Sequence, residues 1–299
     1  MQTKRIKRAV HGVLLLDKPY GFSSNQALQK VKWLYQAQKA GHTGTLDPLA
    51  TGVLPICFGE ATKFAQHLTD ENKTYVAAVK FGETTTTGDK EGDILQTVAC
   101  DVQSHEIESV LPLLTGEITQ IPPMYSALKV DGKPLYAYAR EGVQLERAPR
   151  QVTIHAMKLL DCQDNVANIE VTCSKGTYIR TLAEDIGKAL HVGAHLTGLR
   201  RTATATYQIA NTVTIEALEA MTMQVRDALL LPVDTAINAL PKVALHEDAA
   251  YYFKQGNPVW LSGHVPDGDI RVYSEAGLFL GIGMQLANGR IAPKRVVNL

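Results

Sequence analysis

Cysteine is scarce in this chain and scattered where it occurs. Cys57, Cys100, Cys162 and Cys173 form no Cys-x-x-Cys pair and have no histidine at zinc-finger spacing, so neither a disulfide scaffold nor a zinc site is expected. Reduced thiols used for packing suit a cytoplasmic protein. Long apolar runs are missing too. The aliphatic stretch Val13 to Leu16 ends at Asp17, too short for a signal-peptide core or a bilayer span, so no membrane association is expected. Net charge is absent as well: 30 Lys plus Arg balance 30 Asp plus Glu, which excludes a global field for a polyanion. A nucleic-acid surface would have to come from local clusters. Lys4, Arg5, Lys7 and Arg8 form one and Arg290, Lys294 and Arg295 another, each equally readable as a solvated tail. With no phosphate-cradling glycine signature and no credible metal cluster, the expectation is no cofactor and no metal.

What is present centres on one stretch, Gly41-His42-Thr43-Gly44-Thr45-Leu46-Asp47-Pro48-Leu49-Ala50-Thr51-Gly52. Its glycines, proline and hydroxyl residues predict an ordered loop between a helix and an apolar strand. The groups it could hold in place are His42, several Thr hydroxyls and Asp47, which the following proline biases towards extended backbone. A plainer alternative is a turn whose aspartate bonds its own backbone.

The length of 299 residues suggests two domains. Gly12 to Leu16 is expected to be a buried strand. A helix capped by Ser23 and Gln26 should follow, with Ala27, Val31 and Leu34 on one face. Val53 to Phe58 and Thr74 to Phe81 are further strands, and the polar stretch from Gly82 to Asp93 a loop or hairpin. Ser104 to Leu114 should be a weak helix broken near Pro112. From Ile121 to Arg150, Tyr125, Tyr136 and Tyr138 are mixed with Lys129, Lys133 and Arg140. Such a mixture suits an RNA-facing insertion, since bases stack on rings while cations meet phosphates; the alternative is an irregular loop with surface side chains. Val166 to Cys173 should be a strand, and Gly176 leads into a helix with Tyr178 and Arg180 at its start. Strands and helices mix without a regular βαβ rhythm, so the fold class is α+β. Beyond Pro232 and Pro241, a plausible link, one helix and short strands separated by Asp267-Gly268, Glu275-Ala276-Gly277 and Asn288-Gly289 predict a small β-barrel.

At this point the residues carry a resemblance. The loop from Gly41 to Gly52 resembles the signature of the TruB-type tRNA pseudouridine synthases, the pseudouridine-55 synthases, of bacterial type. Further stretches agree in order: Leu16-Asp17-Lys18-Pro19, Lys73-Thr74-Tyr75, Pro122 to Lys129, Gly176 to Leu182 and His195 to Arg201. Together they span nearly all of the first 205 residues. The resemblance implies a mixed, mostly antiparallel catalytic sheet over residues 1–240 and a PUA-like RNA-binding domain over residues 245–299. It also implies isomerisation of a T-loop uridine in tRNA by base flipping, without a guide RNA or obligate protein partner, in a monomer.

By correspondence Asp47 is the nucleophile, and if it is buried it needs a cation beside it to stay charged; Arg180 is that cation. Tyr75 stacks on the target base and is a candidate for the proton transfer. His42 enters the RNA stack as the base leaves it. Lys18, Lys129, Tyr178 and Leu199 fall to substrate contact or site walls. One departure is Thr86, which stands where many relatives carry an aspartate; the helper it would supply is either missing or replaced by Asp89. Three alternatives stay open. A guide-dependent synthase of the archaeal or eukaryotic type shares these motifs, though long basic tails are lacking. A noncatalytic tRNA-binding or folding protein would leave Asp47, Tyr75 and Arg180 unexplained, and a glycosidase-like hydrolase would need a second working carboxylate.

Overall fold

The computed structural model describes residues 7–261 and 266–299, so Lys4 and Arg5 of the basic start lie outside the described residues. At its centre Gly12–Lys18, Ala50–Phe58, Ala194–Thr204, Lys73–Phe81, Val166–Cys173, Arg150–Gln163 and Gly116–Gln120 lie side by side in one sheet. Every pairing along this path is antiparallel except that of Ala50–Phe58 with Ala194–Thr204, which is parallel. This is the mixed, mostly antiparallel α+β arrangement expected.

Side-chain periodicity accounts for the layers. In Lys73–Phe81 every second residue from Lys73 through Tyr75, Ala77 and Val79 to Phe81 is buried, as one covered sheet face requires. The helix Ser24–Leu34 starts at the Ser23–Gln26 capping box. Its Ala27, Val31 and Leu34, together with Ile179, Leu182 and Ile186 of the helix Ile179–Ala189, pack with Leu16, Ile56, Ala77 and Ile169 in one apolar core. The helix Ser104–Val110 gives way to a 3-10 turn, Leu111–Leu114, where Pro112 has no N–H to continue the helix.

The loop predicted over residues 41–52 is shorter in the fold. Ala40–His42 pairs antiparallel with Phe58 to Ile56, and Ala50 already begins a strand, which leaves residues 43–49 between them. Gly52 marks a close approach of two strands: its φ is +103°, and a Cβ there would collide with the backbone of Arg201. The strand Arg150–Gln163 is not foreseen from the sequence, because two register shifts against Val166–Cys173 break its alternation.

In the stretch where a small barrel is expected, Lys242–Leu245, Asp269–Ser274, Phe279–Gln285 and Ile291–Val296 form a four-stranded sheet covered by the helix Glu247–Lys254. Gly268, Gly277 and Gly289, each at positive φ, sit in the turns read from the sequence. The link expected around Pro232 is instead part of an interface. Val233–Ile237 is a buried 3-10 turn, and Tyr273, Phe279 and Val297 share an apolar cluster with Val13, Leu15 and Val53 of the large sheet and with Phe64 of the 3-10 turn Gly59–Phe64. Asp234 accepts hydrogen bonds from the Tyr273 hydroxyl and from Arg271 Nη1 across the same junction.

Candidate active site

The turn that carries Asp47 is held by its backbone. Ser24 Oγ accepts from Leu46 N at 2.8 Å and donates to Leu46 O at 3.0 Å. Gly21 N donates to Pro48 O at 2.9 Å, and Ala50 N closes the turn on Asp47 O at 3.0 Å. Arg201, buried in the sheet, donates from Nε to Val53 O at 2.7 Å and from Nη2 to Gly44 O at 2.9 Å. With the loop fixed in this way, the Asp47 carboxylate is left to pair with Arg180, Oδ2 to Nη2 at 2.9 Å.

The sequence suggests a buried aspartate that needs a cation; in the structure the arginine is the buried partner. The Arg180 side chain is 8% exposed and that of Asp47 46%. Arg180 donates from Nη1 to Thr87 O at 3.0 Å and from Nη2 to Tyr125 O at 2.6 Å, and Asp89 Oδ2 lies 3.6 Å from Nη1. Of the two possibilities in the Thr-rich loop, it is therefore Asp89 that stands by the arginine. Asp89 is itself buried and fixed: Thr87 Oγ1 donates to its Oδ1 at 2.6 Å and Glu91 N at 3.1 Å. Thr86 Oγ1 instead accepts from Asp93 N at 3.1 Å within the loop. A buried carboxylate offsets the charge that Arg180 brings into the interior, and two carbonyls fix its orientation.

Asp47, Tyr75, Tyr178, Arg180 and Leu199 line one cleft of about 390 Å³, together with Lys73, Arg150 and Arg201. Burial raises the Tyr75 phenol above its ordinary range, with the Arg201 guanidinium beside it acting in the opposite direction. Tyr75 thus brings a neutral hydroxyl that can donate or accept. Two residues before it on the same face, Lys73 donates to Thr69 O at 2.6 Å and Glu71 O at 2.5 Å. Burial, reinforced by Arg201, lowers this lysine to about 8. Leu199 pairs in register with Ala50 on one side and Ala77 on the other, which makes it a wall. The ring of Tyr178 lies 5.8 Å from the Arg150 guanidinium.

His42, Lys18 and Lys129 are not among the residues that line this cleft. His42 ends its short strand with Nδ1 buried and without a hydrogen-bond partner, and burial followed by Arg201 lowers its pKa. Lys18 is wholly buried. Its Nζ donates to Pro19 O at 2.9 Å and Phe22 O at 2.5 Å, and burial lowers its pKa to about 8 although Asp47 acts to raise it. In this arrangement its ammonium holds a turn. Lys129 is exposed on a two-residue strand paired with Lys133–Pro134. Among the described residues no group of three or more His, Cys, Asp or Glu is placed to hold a metal.

Ser24, Lys73 and Arg201 receive no role from the sequence. The strand period of two could have flagged Lys73 and Arg201, since each lies two residues from a site residue, Tyr75 and Leu199 respectively.

Three family models match in succession: TruB family pseudouridylate synthase, N-terminal domain, over residues 32–179; tRNA pseudouridylate synthase B C-terminal domain over residues 180–238; and Pseudouridine synthase II TruB, C-terminal, over residues 241–297. The tRNA pseudouridine synthase B of Methylobacillus flagellatus is 58% identical over 99% of this chain and 98% of its own length. That of Ectopseudomonas mendocina is 52% identical over the same shares. Among solved structures, a chain of a Cbf5–Nop10–Gar1 complex matches with a TM-score of 0.71 at 26% identity, covering 96% of this chain and 84% of that one. The chain belongs to the TruB family of pseudouridylate synthases.

Proposed function

We propose that this cleft converts the T-loop uridine of tRNA, position 55, into pseudouridine with Asp47 as nucleophile, acting as a monomer in the cytoplasm without guide RNA or cofactor. The chain is an isomerase that acts on tRNA. The observation that carries the assignment of roles is the ion pair: a carboxylate open to the cleft, tied to a guanidinium whose other contacts are buried. Attack by Asp47 on the sugar or the ring breaks the N-glycosidic bond. The base turns and a C–C bond forms between the same two partners, the bond to Asp47 breaks to return its carboxylate, and the carbon's proton must leave. Tyr75 lines the same cleft with a neutral hydroxyl, which supports its part in stacking and in that proton transfer.

His42 fills the gap left by the flipped base, and Tyr178 and Leu199 enclose the nucleotide. The T arm docks on the 121–150 insertion and on the C-terminal sheet. In the insertion Arg140 lies over the Tyr136 ring at 5.4 Å and Lys133 over Tyr138 at 4.4 Å, close mixtures of cation and aromatic face. Lys129 belongs to this surface. No described helix is long and apolar enough to cross a membrane. The test is incubation with unmodified tRNA transcript and no added cofactor, followed by mapping of pseudouridine. Product confined to the T loop is expected; free uracil, or product elsewhere, would overturn the proposal.

A further inference from the structure

Gln120 ends the edge strand Gly116–Gln120, and its side chain is 1% exposed although it carries a primary amide. Both ends of that amide are used on one residue. Its Oε1 accepts from Tyr178 N at 3.0 Å, and its Nε2 donates to Tyr178 O at 3.3 Å. A primary amide is suited to this, because it offers a donor and an acceptor side by side as a neighbouring strand would.

Tyr178 is the N-cap of the helix Ile179–Ala189, and its own side chain makes no capping bond. Its carbonyl also accepts the first helical bond, from Leu182 N at 3.1 Å. The start of this helix is therefore set by Gln120 from outside. Arg180 lies two residues further on, and five residues after Gln120 the Tyr125 carbonyl accepts from its guanidinium. The end of the edge strand thus holds residue 178 by the Gln120 side chain, and the segment that follows it holds residue 180 by the Tyr125 carbonyl.

We propose that Gln120 is a positioning residue: it fixes the start of the Ile179–Ala189 helix so that Arg180 and Tyr178 meet Asp47 and the substrate in working geometry. The inference rests on the ion-pair chemistry proposed above. Gln120 touches no reacting atom, so its removal should affect the rate at saturating substrate and leave binding nearly intact. Gln120→Met keeps length and loses both bonds. Since misplacement of about an ångström can cost about 10²-fold in rate, a loss of about that size in single-turnover pseudouridine formation is expected, with tRNA Kd changed less than about threefold.

Gln120→Glu provides a readout that a purely structural role would not move. Ionised, it faces the Tyr178 carbonyl with like partial charge; protonated, it restores a donor beside an acceptor. The Glu variant should be slow at pH 8 and recover several-fold towards pH 6, while wild type shows no such recovery. In an Arg180→Lys background the effect of Gln120→Met should shrink, because both changes spoil the same geometry.

The experiment is single-turnover pseudouridine formation on tRNA transcript by the full chain and these variants from pH 6 to pH 8, with tRNA binding and thermal melting measured in parallel. If Gln120→Met does not fold, the pH recovery of Gln120→Glu decides. Wild-type rates in Gln120→Met, or a Gln120→Glu profile parallel to wild type, would overturn the inference. Absence of product with the wild-type chain would instead overturn the function on which it rests.

Discussion

Asp47 and Asp89 reach the same guanidinium from different loops, and the loops are built in opposite ways. The turn around Asp47 is held by Ser24, Gly21 and Arg201 acting on backbone groups, which leaves its carboxylate half-exposed. The Thr-rich loop is held by Asp89 itself, buried and bonded to Thr87 and Glu91. One carboxylate is available for chemistry because other residues shape its loop; the other is committed to shaping. A site that needs a reactive group in a fixed place requires both kinds.

Removal of the shared partner should have the largest effect. Arg180→Met leaves Asp89 buried without its cation and Asp47 untethered, so single-turnover rate should fall by at least about 10³-fold, on the scale of losing a main electrostatic contact. Unfolding free energy should drop as well, by up to about 3–5 kcal/mol, the scale for breaking a buried pair. Asp89→Asn comes next. It keeps the shape and one acceptor, so stability should fall by about 1–3 kcal/mol and the rate by about 10- to 100-fold, with tRNA affinity within about threefold. Chemical denaturation and single-turnover assays separate the two effects.

His42→Ala is expected to cost less, about tenfold in rate, because the role proposed for it is to assist extrusion of the base, with no covalent step. The loss should narrow on a minimal substrate whose target base is already unstacked. Equal loss on both substrates would put His42 in the chemistry and end its assignment to the stack.

The smallest effect concerns pH. Lys73 titrates near 8 in the fold against about 10.5 when exposed, so between these values the unfolded chain holds more protons. Its contribution to stability therefore rises with pH across that window and is unfavourable in full below it. Relative to Lys73→Met, wild type should gain about 1.5 kcal/mol in unfolding free energy between pH 8 and pH 9.5. A constant difference would mean that the ammonium's three carbonyl partners, Leu68, Thr69 and Glu71, keep it charged after all.

Much of the sheet was legible in the sequence, for local reasons, whereas the pairing of Arg180 with Asp47 came only from the family resemblance. Alternation along Lys73–Phe81, the capping box at Ser23 and the turn residues at Gly268, Gly277 and Gly289 are patterns within a few residues of each other. Asp47, Tyr75 and Arg180 stand inside continuous motif runs. The supporting residues were not legible because their partners are distant: Ser24 bonds a residue 22 positions away, and Arg201 bonds Val53 and Gly44 at separations of 148 and 157. The same applies to the C-terminal sheet, whose inward residues cover Val13 and Phe64 and turn an apparent linker into an interface. Strand register shifts hid Arg150–Gln163 for a different reason, since an inserted residue resets the period by which a strand is recognised.

The division between the two carboxylates is tested most directly by single-turnover pseudouridine formation on tRNA transcript with Asp47→Asn and Asp89→Asn side by side, tRNA binding being measured separately. Asp47→Asn should bind tRNA within a few-fold of wild type and form no pseudouridine, while Asp89→Asn should still turn over, slowly, to the same product. Turnover by Asp47→Asn at a rate like that of Asp89→Asn would contradict the assignment of the nucleophile.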